Sequence, residues 1–311
     1  MLKLAYLFPG QGAQYPGMGK DLYENVPRVR EIFKRADRIL GFELSRTIFQ
    51  GPVKELTRTE ICQPAVFVVS AACLLALQAG NPKLRPDFSA GLSLGEYSAL
   101  FAAGALDFEQ ALRLVKLRAE YMEQATRINP GGMLCLIGLN KDVVEGICAE
   151  SGAEIANLNC PGQIVIAGRA ACLQKAGELA QRQGARRIIS LKVSGGFHSS
   201  LMSPAGEKLE QALDQARIEQ AQIPVISNVT AAAQTTPEQI KQNLIRQLSR
   251  RTLWEDSIRF ISSQGVKHFL EIGPGRVLAG LLRKINPQLK VYNVDTLEQI
   301  KQLKEDEQLC C

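Results

Sequence analysis

The sequence Gly91-Leu92-Ser93-Leu94-Gly95 matches the pattern G-x-S-x-G and follows a short apolar stretch at residues 88–90. In this pattern a strand turns sharply into a helix, and the turn lifts the serine hydroxyl away from the backbone. A helical pattern over residues 96–103 completes the expected strand–turn–helix context. Ser93 is therefore the candidate nucleophile, and the alternative is a serine in an ordinary turn.

The segments around this turn alternate between short apolar strands and helices, an order that predicts an α/β fold whose parallel sheet is covered on both faces. Before residue 128, the expected strands are 4–8 and 88–90, and the expected helices are 21–40, 52–58, 64–79, 96–103 and 108–126. After residue 196, the expected strands are 224–228, 266–272 and 291–294, and the expected helices are 204–215, 237–247 and 276–284.

The middle of the chain has a different order of predicted strands and helices. Strand and helix patterns there follow the order β-α-β-β-α-β, which is typical of a ferredoxin-like unit. Pro130-Gly131-Gly132 and Gly195-Gly196 bound this segment. We expect a catalytic domain built from residues 1–127 and 196–300, a ferredoxin-like small domain inserted at 128–195, and a disordered tail at 301–311.

Composition excludes a chain that is disordered, collagen-like or a coiled coil throughout. The chain has 311 residues, of which 46% are hydrophobic and 22% are charged, as in an ordinary globular protein. The net charge of +6 suits a partner that carries phosphate or carboxylate, but no basic block indicates nucleic-acid binding. The uncharged stretch at 61–82 has a truly apolar part of only 65–77, which favours a buried helix over a membrane span. We expect a cytoplasmic protein with no membrane partner.

The cysteines and histidines give no metal-binding pattern. The eight cysteines form no C-x-x-C pair and mostly lie in apolar stretches, so we expect reduced core cysteines and no metal. His268 lies on one face of a strand pattern, which is typical of a structural histidine. His198 lies in the Gly-rich segment Val193-Ser194-Gly195-Gly196-Phe197-His198, between a strand and a helix. A serine nucleophile needs a base, and this loop position favours His198.

One arginine lies on the apolar face of its predicted helix. At 100° per residue, the other charged residues of the 108–126 pattern fall within an arc of about 80°. Arg118 lies opposite, beside Leu114, Val115 and Met122. A guanidinium on an apolar face is costly unless an anion pairs with it. The alternatives are a structural ion pair, a side chain that reaches the surface, or a clamp for a substrate carboxylate.

Together these residues resemble a known family, the malonyl-CoA:acyl carrier protein transacylases, over about residues 1–295. The matching segments are separated and in order. They are Phe8-Pro9-Gly10-Gln11-Gly12-Ala13-Gln14, residues 91–100, Arg118, Asn159-Cys160-Pro161-Gly162-Gln163, Phe197-His198-Ser199 and Glu271-Ile272-Gly273-Pro274-Gly275. The resemblance also implies an α/β-hydrolase-like core that carries a small ferredoxin-like domain.

The resemblance implies a role for each matched position. Malonyl-CoA would acylate Ser93, and His198 would be the general base and later the acid. A backbone carbonyl orients the imidazole in this family, and here it would belong to Gln247. The backbone amides of Gln11 and Leu94 would form the oxyanion hole.

The same resemblance addresses substrate choice and partners. Arg118 would bind the malonyl carboxylate, and the Phe197 ring would leave little room for an α-methyl group. Asn159 and Gln163 would contribute to the cleft. The expected partners are malonyl-CoA and acyl carrier protein, the expected oligomeric state is a monomer, and no cofactor is implied beyond the substrates.

One position departs from the family pattern. The family commonly has His immediately before the serine, and this chain has Leu92. The departure leaves open a hydrolase of the same fold that removes acyl groups from stalled carriers. A non-enzymatic binding module would leave the serine–histidine pairing as an accident, and a patatin-like lipid hydrolase would need an Asp partner that the sequence does not supply.

Overall fold

The structure is a computed structural model that describes residues 2–306. The strands are β1 (Leu4–Phe8), β2 (Phe88–Gly91), β3 (Gly132–Ile137), β4 (Glu154–Cys160), β5 (Gln163–Gly168), β6 (Arg187–Ser190), β7 (Val225–Ile226), β8 (Ala233–Gln234), β9 (His268–Ile272) and β10 (Lys290–Val294). The helices are α1 (Lys20–Asn25), α2 (Pro27–Leu40), α3 (Leu44–Gln50), α4 (Val53–Leu56), α5 (Thr59–Gly80), α6 (Gly95–Ala102), α7 (Phe108–Ile128), α8 (Lys141–Ser151), α9 (Ala170–Arg182), α10 (Ser203–Asp214), α11 (Pro237–Gln247), α12 (Trp254–Ser263), α13 (Val277–Ile285) and α14 (Leu297–Gln302).

The larger sheet has the strand order β10-β9-β1-β2-β7-β8. Every neighbouring pair is parallel except β7 and β8 at one edge. Side chains of β1 alternate between the two faces: Tyr6 and Phe8 pack into the core that contains α5, and Ala5 and Leu7 pack against α12 and α13. The predicted α/β fold, with a parallel sheet covered on both faces, is therefore confirmed.

The smaller sheet is antiparallel and has the order β4-β5-β3-β6. One face, with Leu136 and Ile166, packs against α8 and α9. The opposite face, with Met133 and Val165, joins the core of the larger sheet. This arrangement leaves a cleft between the two sheets, and the carboxyl ends of β1 and β2 open into it.

Helix α5 crosses the middle of the larger core. Among residues 2–306 it is the one helix that is long and apolar enough to cross a membrane, but most of it is buried inside the protein. The helix begins at Thr59, five residues before the expected start, so Pro64 lies inside it and not in its first turn. Pro64 has no N–H and so cannot donate to the preceding turn, yet the helix continues past it to Gly80.

Other boundaries also differ from the sequence-based expectation. The expected helix 21–40 is divided at Val26, because Pro27 begins a second helix there. Helices α3, α12 and α14 were not expected. Helix α14 and the buried Leu303 correct the expected disordered tail, because ordered chain continues past residue 300. The remainder of that tail, residues 307–311, lies outside the described residues.

Candidate active site

Ser93 lies at the tip of the turn between β2 and α6. Its φ of 54° is in the left-handed region, which few residues other than glycine adopt. Glycine is required on both sides, because a Cβ at Gly91 would overlap the Gly95 carbonyl and a Cβ at Gly95 would overlap the Phe8 carbonyl. The chain therefore crosses itself closely here, and the crossing projects the Ser93 hydroxyl into the cleft.

Asn228, just after β7, holds this turn from the neighbouring strand. Its Oδ1 accepts a hydrogen bond from the Ser93 amide at 2.6 Å, and its Nδ2 donates to the Gly91 carbonyl at 2.7 Å. The left-handed conformation of Ser93 is thus fixed by tertiary contacts. The sequence pointed to no role for Asn228, because an isolated asparagine after a strand carries no pattern.

His198 lies within hydrogen-bonding distance of the Ser93 hydroxyl. Its Nε2 is 2.8 Å from Ser93 Oγ, and its Nδ1 is 2.8 Å from the backbone carbonyl of Gln247. A carbonyl can only accept, so Nδ1 carries the proton and Nε2 is free to accept one from the serine. Burial and the nearby Arg118 lower the pKa of His198 to about 4, against the bond to Gln247, which raises it. The imidazole is therefore neutral at pH 7 and can act as a base.

Arg118 is fully buried on α7, as its position on the helical wheel indicated. Its Nη2 donates to Ser93 Oγ at 2.9 Å and to Gln247 Oε1 at 3.0 Å, and its Nη1 donates to Gln63 Oε1 at 2.6 Å. Within residues 2–306 it forms no salt bridge, and its Nε has no hydrogen-bond partner. The structural ion pair considered above is therefore absent from the described contacts, and the guanidinium faces the Ser93 hydroxyl.

A compensating negative charge belongs to Glu96, a residue not identified from the sequence. Its fully buried carboxylate accepts hydrogen bonds from Gln247 Nε2 at 2.6 Å, Gln234 Nε2 at 2.6 Å and the Asn228 amide at 3.2 Å. Burial raises the pKa of Glu96 to about 7, while these donors and Arg118 oppose the rise. A signal was available, because Glu96 is the single charged residue of the apolar helix α6.

The cleft around Ser93 has a volume of about 260 Å³. Both sheets contribute to its walls, and Gln11, Leu94 and Phe197 lie among the lining residues. Within the described chain, the backbone amides of Gln11 and Leu94 donate to no protein acceptor, so both are available to an oxygen bound near Ser93. Leu92 also lines the cleft beside the serine.

The second histidine lies elsewhere. His268 begins β9, and its ring stacks on Tyr292 with centroids 6.1 Å apart. It does not line the cleft. Residues 2–306 contain no group of three or more His, Cys, Asp or Glu side chains that could hold a metal ion. The cleft therefore brings together a serine, a histidine, an arginine and two backbone amides, a set suited to acyl transfer onto serine.

Comparison with known proteins agrees with this geometry. The family model described as the acyl transferase domain matches residues 5–309. The malonyl CoA-acyl carrier protein transacylase of Bacillus subtilis is 47% identical over 306 residues, which cover 97% of this chain and 96% of the relative.

Solved structures of two such enzymes are also similar to this chain, at lower sequence identity. An acyl-carrier-protein S-malonyltransferase from Burkholderia pseudomallei superposes with a TM-score of 0.95 at 39% identity, covering 98% of this chain and 100% of that one. A malonyl-transacylase in complex with its type II PKS acyl-carrier protein gives a TM-score of 0.95 at 38% identity, with coverage of 98% and 100%. The resemblance drawn from the sequence is confirmed, and the chain belongs to the malonyl-CoA:acyl carrier protein transacylases of the acyl transferase family.

Proposed function

We propose that this protein transfers the malonyl group from malonyl-CoA to the phosphopantetheine thiol of acyl carrier protein, through a covalent intermediate on Ser93. The supporting observation is the position of the Ser93 hydroxyl, which lies 2.8 Å from a neutral histidine nitrogen and 2.9 Å from a buried guanidinium. The first group activates a serine, and the second selects an acyl group that carries a negative charge.

The first half-reaction forms the acyl-enzyme. Ser93 Oγ attacks the thioester carbonyl and gives its proton to His198 Nε2. The Gln247 carbonyl, which accepts from Nδ1, stabilises the imidazolium that results. The oxyanion of the tetrahedral intermediate would accept from the amides of Gln11 and Leu94. As the carbon–sulfur bond breaks, His198 returns its proton to the CoA thiolate, and neutral CoA thiol leaves.

The second half-reaction runs the same steps with a different thiol. The phosphopantetheine thiol of the carrier gives its proton to His198 and attacks the malonyl ester. The bond from carbonyl carbon to Ser93 Oγ then breaks, and His198 protonates the serine. No oxidation state changes, and only protein groups and the two substrates take part.

The short distance between the Ser93 hydroxyl and the Arg118 guanidinium supports a short diacid as the acyl group. A malonyl group has one methylene between its thioester carbonyl and its free carboxylate. Because Arg118 Nη2 directly contacts Ser93 Oγ, a carboxylate this close to the reacting carbon meets the guanidinium. Phe197, only 6% exposed in the cleft wall, would restrict substituents on that methylene.

We also propose a finer description of the fold, as two domains. The strand order β4-β5-β3-β6 with helices α8 and α9 supports a ferredoxin-like small domain at about residues 128–195. The turn at Ser93 and its parallel sheet support an α/β-hydrolase-like catalytic domain formed by the flanking segments. The active site would then lie at the junction of the two.

Intact-mass spectrometry tests the proposed function. Incubation with malonyl-CoA should add one malonyl group, which maps to Ser93 and moves to holo acyl carrier protein when the carrier is added. An adduct that drains to water without reaching the carrier would identify a hydrolase, the alternative raised by Leu92. Labelling only by longer acyl thioesters would show that Arg118 has another partner and that the substrate is wrong.

A further inference from the structure

We propose that Glu96 is a positioning residue for malonyl recognition, which acts by fixing the orientation of the Gln247 side-chain amide. The proposal rests on the proposed function, because it assigns Arg118 to a substrate carboxylate. Glu96 itself does not contact the cleft. Its influence passes through one amide to the guanidinium, and from there to the substrate.

The hydrogen bonds around Glu96 determine which way each amide points. The Asn228 backbone amide can only donate, so the oxygen it meets, Glu96 Oε2, is an acceptor. Asn243 Nδ2 donates to Gln234 Oε1 at 2.8 Å, which turns Gln234 Nε2 toward the same carboxylate. The groups that face Glu96 are thus donors, and they favour the ionised carboxylate against the burial that raises its pKa.

Gln247 is oriented jointly by this carboxylate, the Ser93 carbonyl and Arg118, and the shortest of the three hydrogen bonds is the one to Glu96. Its Nε2 lies between two acceptors, Glu96 Oε2 at 2.6 Å and the Ser93 carbonyl at 3.1 Å. Its Oε1 must therefore face away from Glu96, and it meets Arg118 Nη2 at 3.0 Å. The opposite orientation would place a donor against the guanidinium and an acceptor against the carboxylate.

This arrangement separates two buried opposite charges by a single amide. Arg118 and Glu96 compensate each other electrostatically, yet the carboxylate occupies none of the guanidinium N–H groups. A direct ion pair would satisfy Arg118 internally and compete with an incoming carboxylate. The inserted amide keeps the guanidinium charged, buried and directed at Ser93, so a substrate carboxylate is the anion that it can still bind.

The test compares malonyl and acetyl transfer in four proteins: wild type, Glu96→Gln, Arg118→Ala and the double variant. Glutamine keeps the shape of Glu96 but removes the charge that orients Gln247. We expect Glu96→Gln to lower kcat/KM for malonyl-CoA about tenfold, without lowering the slow rate with acetyl-CoA, which has no carboxylate. In the Arg118→Ala background, the same change should alter neither substrate.

Two results would overturn the proposal. If Glu96→Gln lowers both substrates equally, or still acts when Arg118 is absent, then Glu96 only supports the turn at Ser93. Glu238→Gln, an exposed glutamate in the first turn of α11, is the matched control and should leave both rates unchanged.

A second variant keeps the test valid if Glu96→Gln does not fold. Gln247→Met preserves the backbone carbonyl that His198 uses and removes the amide between the two charges. Because the amide also donates to the Ser93 carbonyl, both rates should fall, but malonyl transfer should fall further than acetyl transfer. Equal losses with the two substrates would contradict the proposal. The wild-type mass measurement separates the two hypotheses: a missing malonyl adduct refutes the proposed function, whereas a normal adduct with unselective variants refutes only the role of Glu96.

Discussion

The two walls of the cleft differ in what they contribute. Every side chain that hydrogen-bonds to Ser93 Oγ comes from the larger part of the molecule or the loop that leads back to it: Arg118 on α7 and His198 after β6. The smaller sheet lines the opposite wall with residues such as Met133, Asn159 and Val165. None of these three has a described hydrogen bond to Ser93 or His198. One wall therefore holds the groups that we propose to react, and the other gives the cleft its shape.

The walls also differ in how many hydrogen bonds hold their buried polar side chains. On the catalytic wall, Glu96 accepts three hydrogen bonds and Arg118 donates three, although Arg118 Nε has no described partner. On the small-sheet wall, Asn159 Oδ1 is buried and has no partner within the described residues. A rigid, paired network holds reacting atoms in register, whereas an unpaired group is free to meet a substrate. Substitution of Ser93 or His198 on the first wall should change the chemical step, substitution of Arg118 on the same wall should change the choice of acyl group, and substitutions on the second wall should change substrate binding.

The largest expected effect is that of Ser93→Ala. Without the nucleophile the acyl-enzyme cannot form, so we expect malonyl transfer to fall by about 10³-fold or more, with no adduct in the mass spectrum. Ser98→Ala, five residues further along in α6, is a matched control. Its hydroxyl is buried without a described partner, so its loss should leave transfer near the wild-type rate. Full activity of Ser93→Ala would place the nucleophile elsewhere.

Arg118→Ala should have the next largest effect, and it should depend on the substrate. Removing the guanidinium would delete the proposed charge-assisted contact to the malonyl carboxylate, so kcat/KM for malonyl-CoA should fall about 10²-fold while acetyl-CoA is spared. Competing the two substrates in one assay measures this preference directly. Arg113→Ala, an exposed arginine of the same helix that pairs with Glu109, should preserve the preference. Unchanged discrimination in Arg118→Ala would remove this residue from substrate selection.

The reactivity of Ser93 should be lost only at an unusually low pH. The His198 pKa of about 4 means that the base stays neutral well below its ordinary value of 6.5 and loses activity only as the pH falls through 4. Labelling of Ser93 by a fluorophosphonate avoids titration of the substrate. At pH 5 the labelling rate should hold about 90% of its plateau, against about 3% for a histidine of ordinary pKa. Protein returned from pH 5 to pH 7 serves as the control for unfolding, and a midpoint near 6.5 would mean that His198 is hydrated.

Sequence patterns anticipated the parts of the fold that local chemistry specifies. Strands β1 and β2 were expected, because apolar runs there end in Gly-rich turns. Helix α14 was missed because residues 297–302 are mostly polar. A capping box at Thr296 and the hydrogen bond from Asn81 to the Ile300 carbonyl stabilise it, and its packing against α5 and β10 makes the segment part of the core.

The site was also predictable only in part. Arg118 was found because helical periodicity exposes a charge on an apolar face of its own helix. Glu96 lies 151 residues from Gln247 in sequence, and its effect on Arg118 passes through that amide. Periodicity describes one element at a time, so it identifies a buried charge without identifying its partner. The pairing appears only when α6, α7 and α11 are packed together.

The smallest effect is expected on the small-sheet wall, from Asn159→Ala. The buried Oδ1 of Asn159 has no described protein partner, so a substrate group that donates a hydrogen bond, such as an amide of the pantetheine arm, is its natural partner. Such a contact is made equally in the ground state and the transition state. Its loss should therefore raise KM by about 2- to 10-fold and leave kcat unchanged. Steady-state kinetics with malonyl-CoA measure both constants, and Asn25→Ala, at an exposed position in α1, is the control. A fall in kcat would mean that the small-sheet wall also positions the reacting atoms, and the division of labour between the two walls would be wrong.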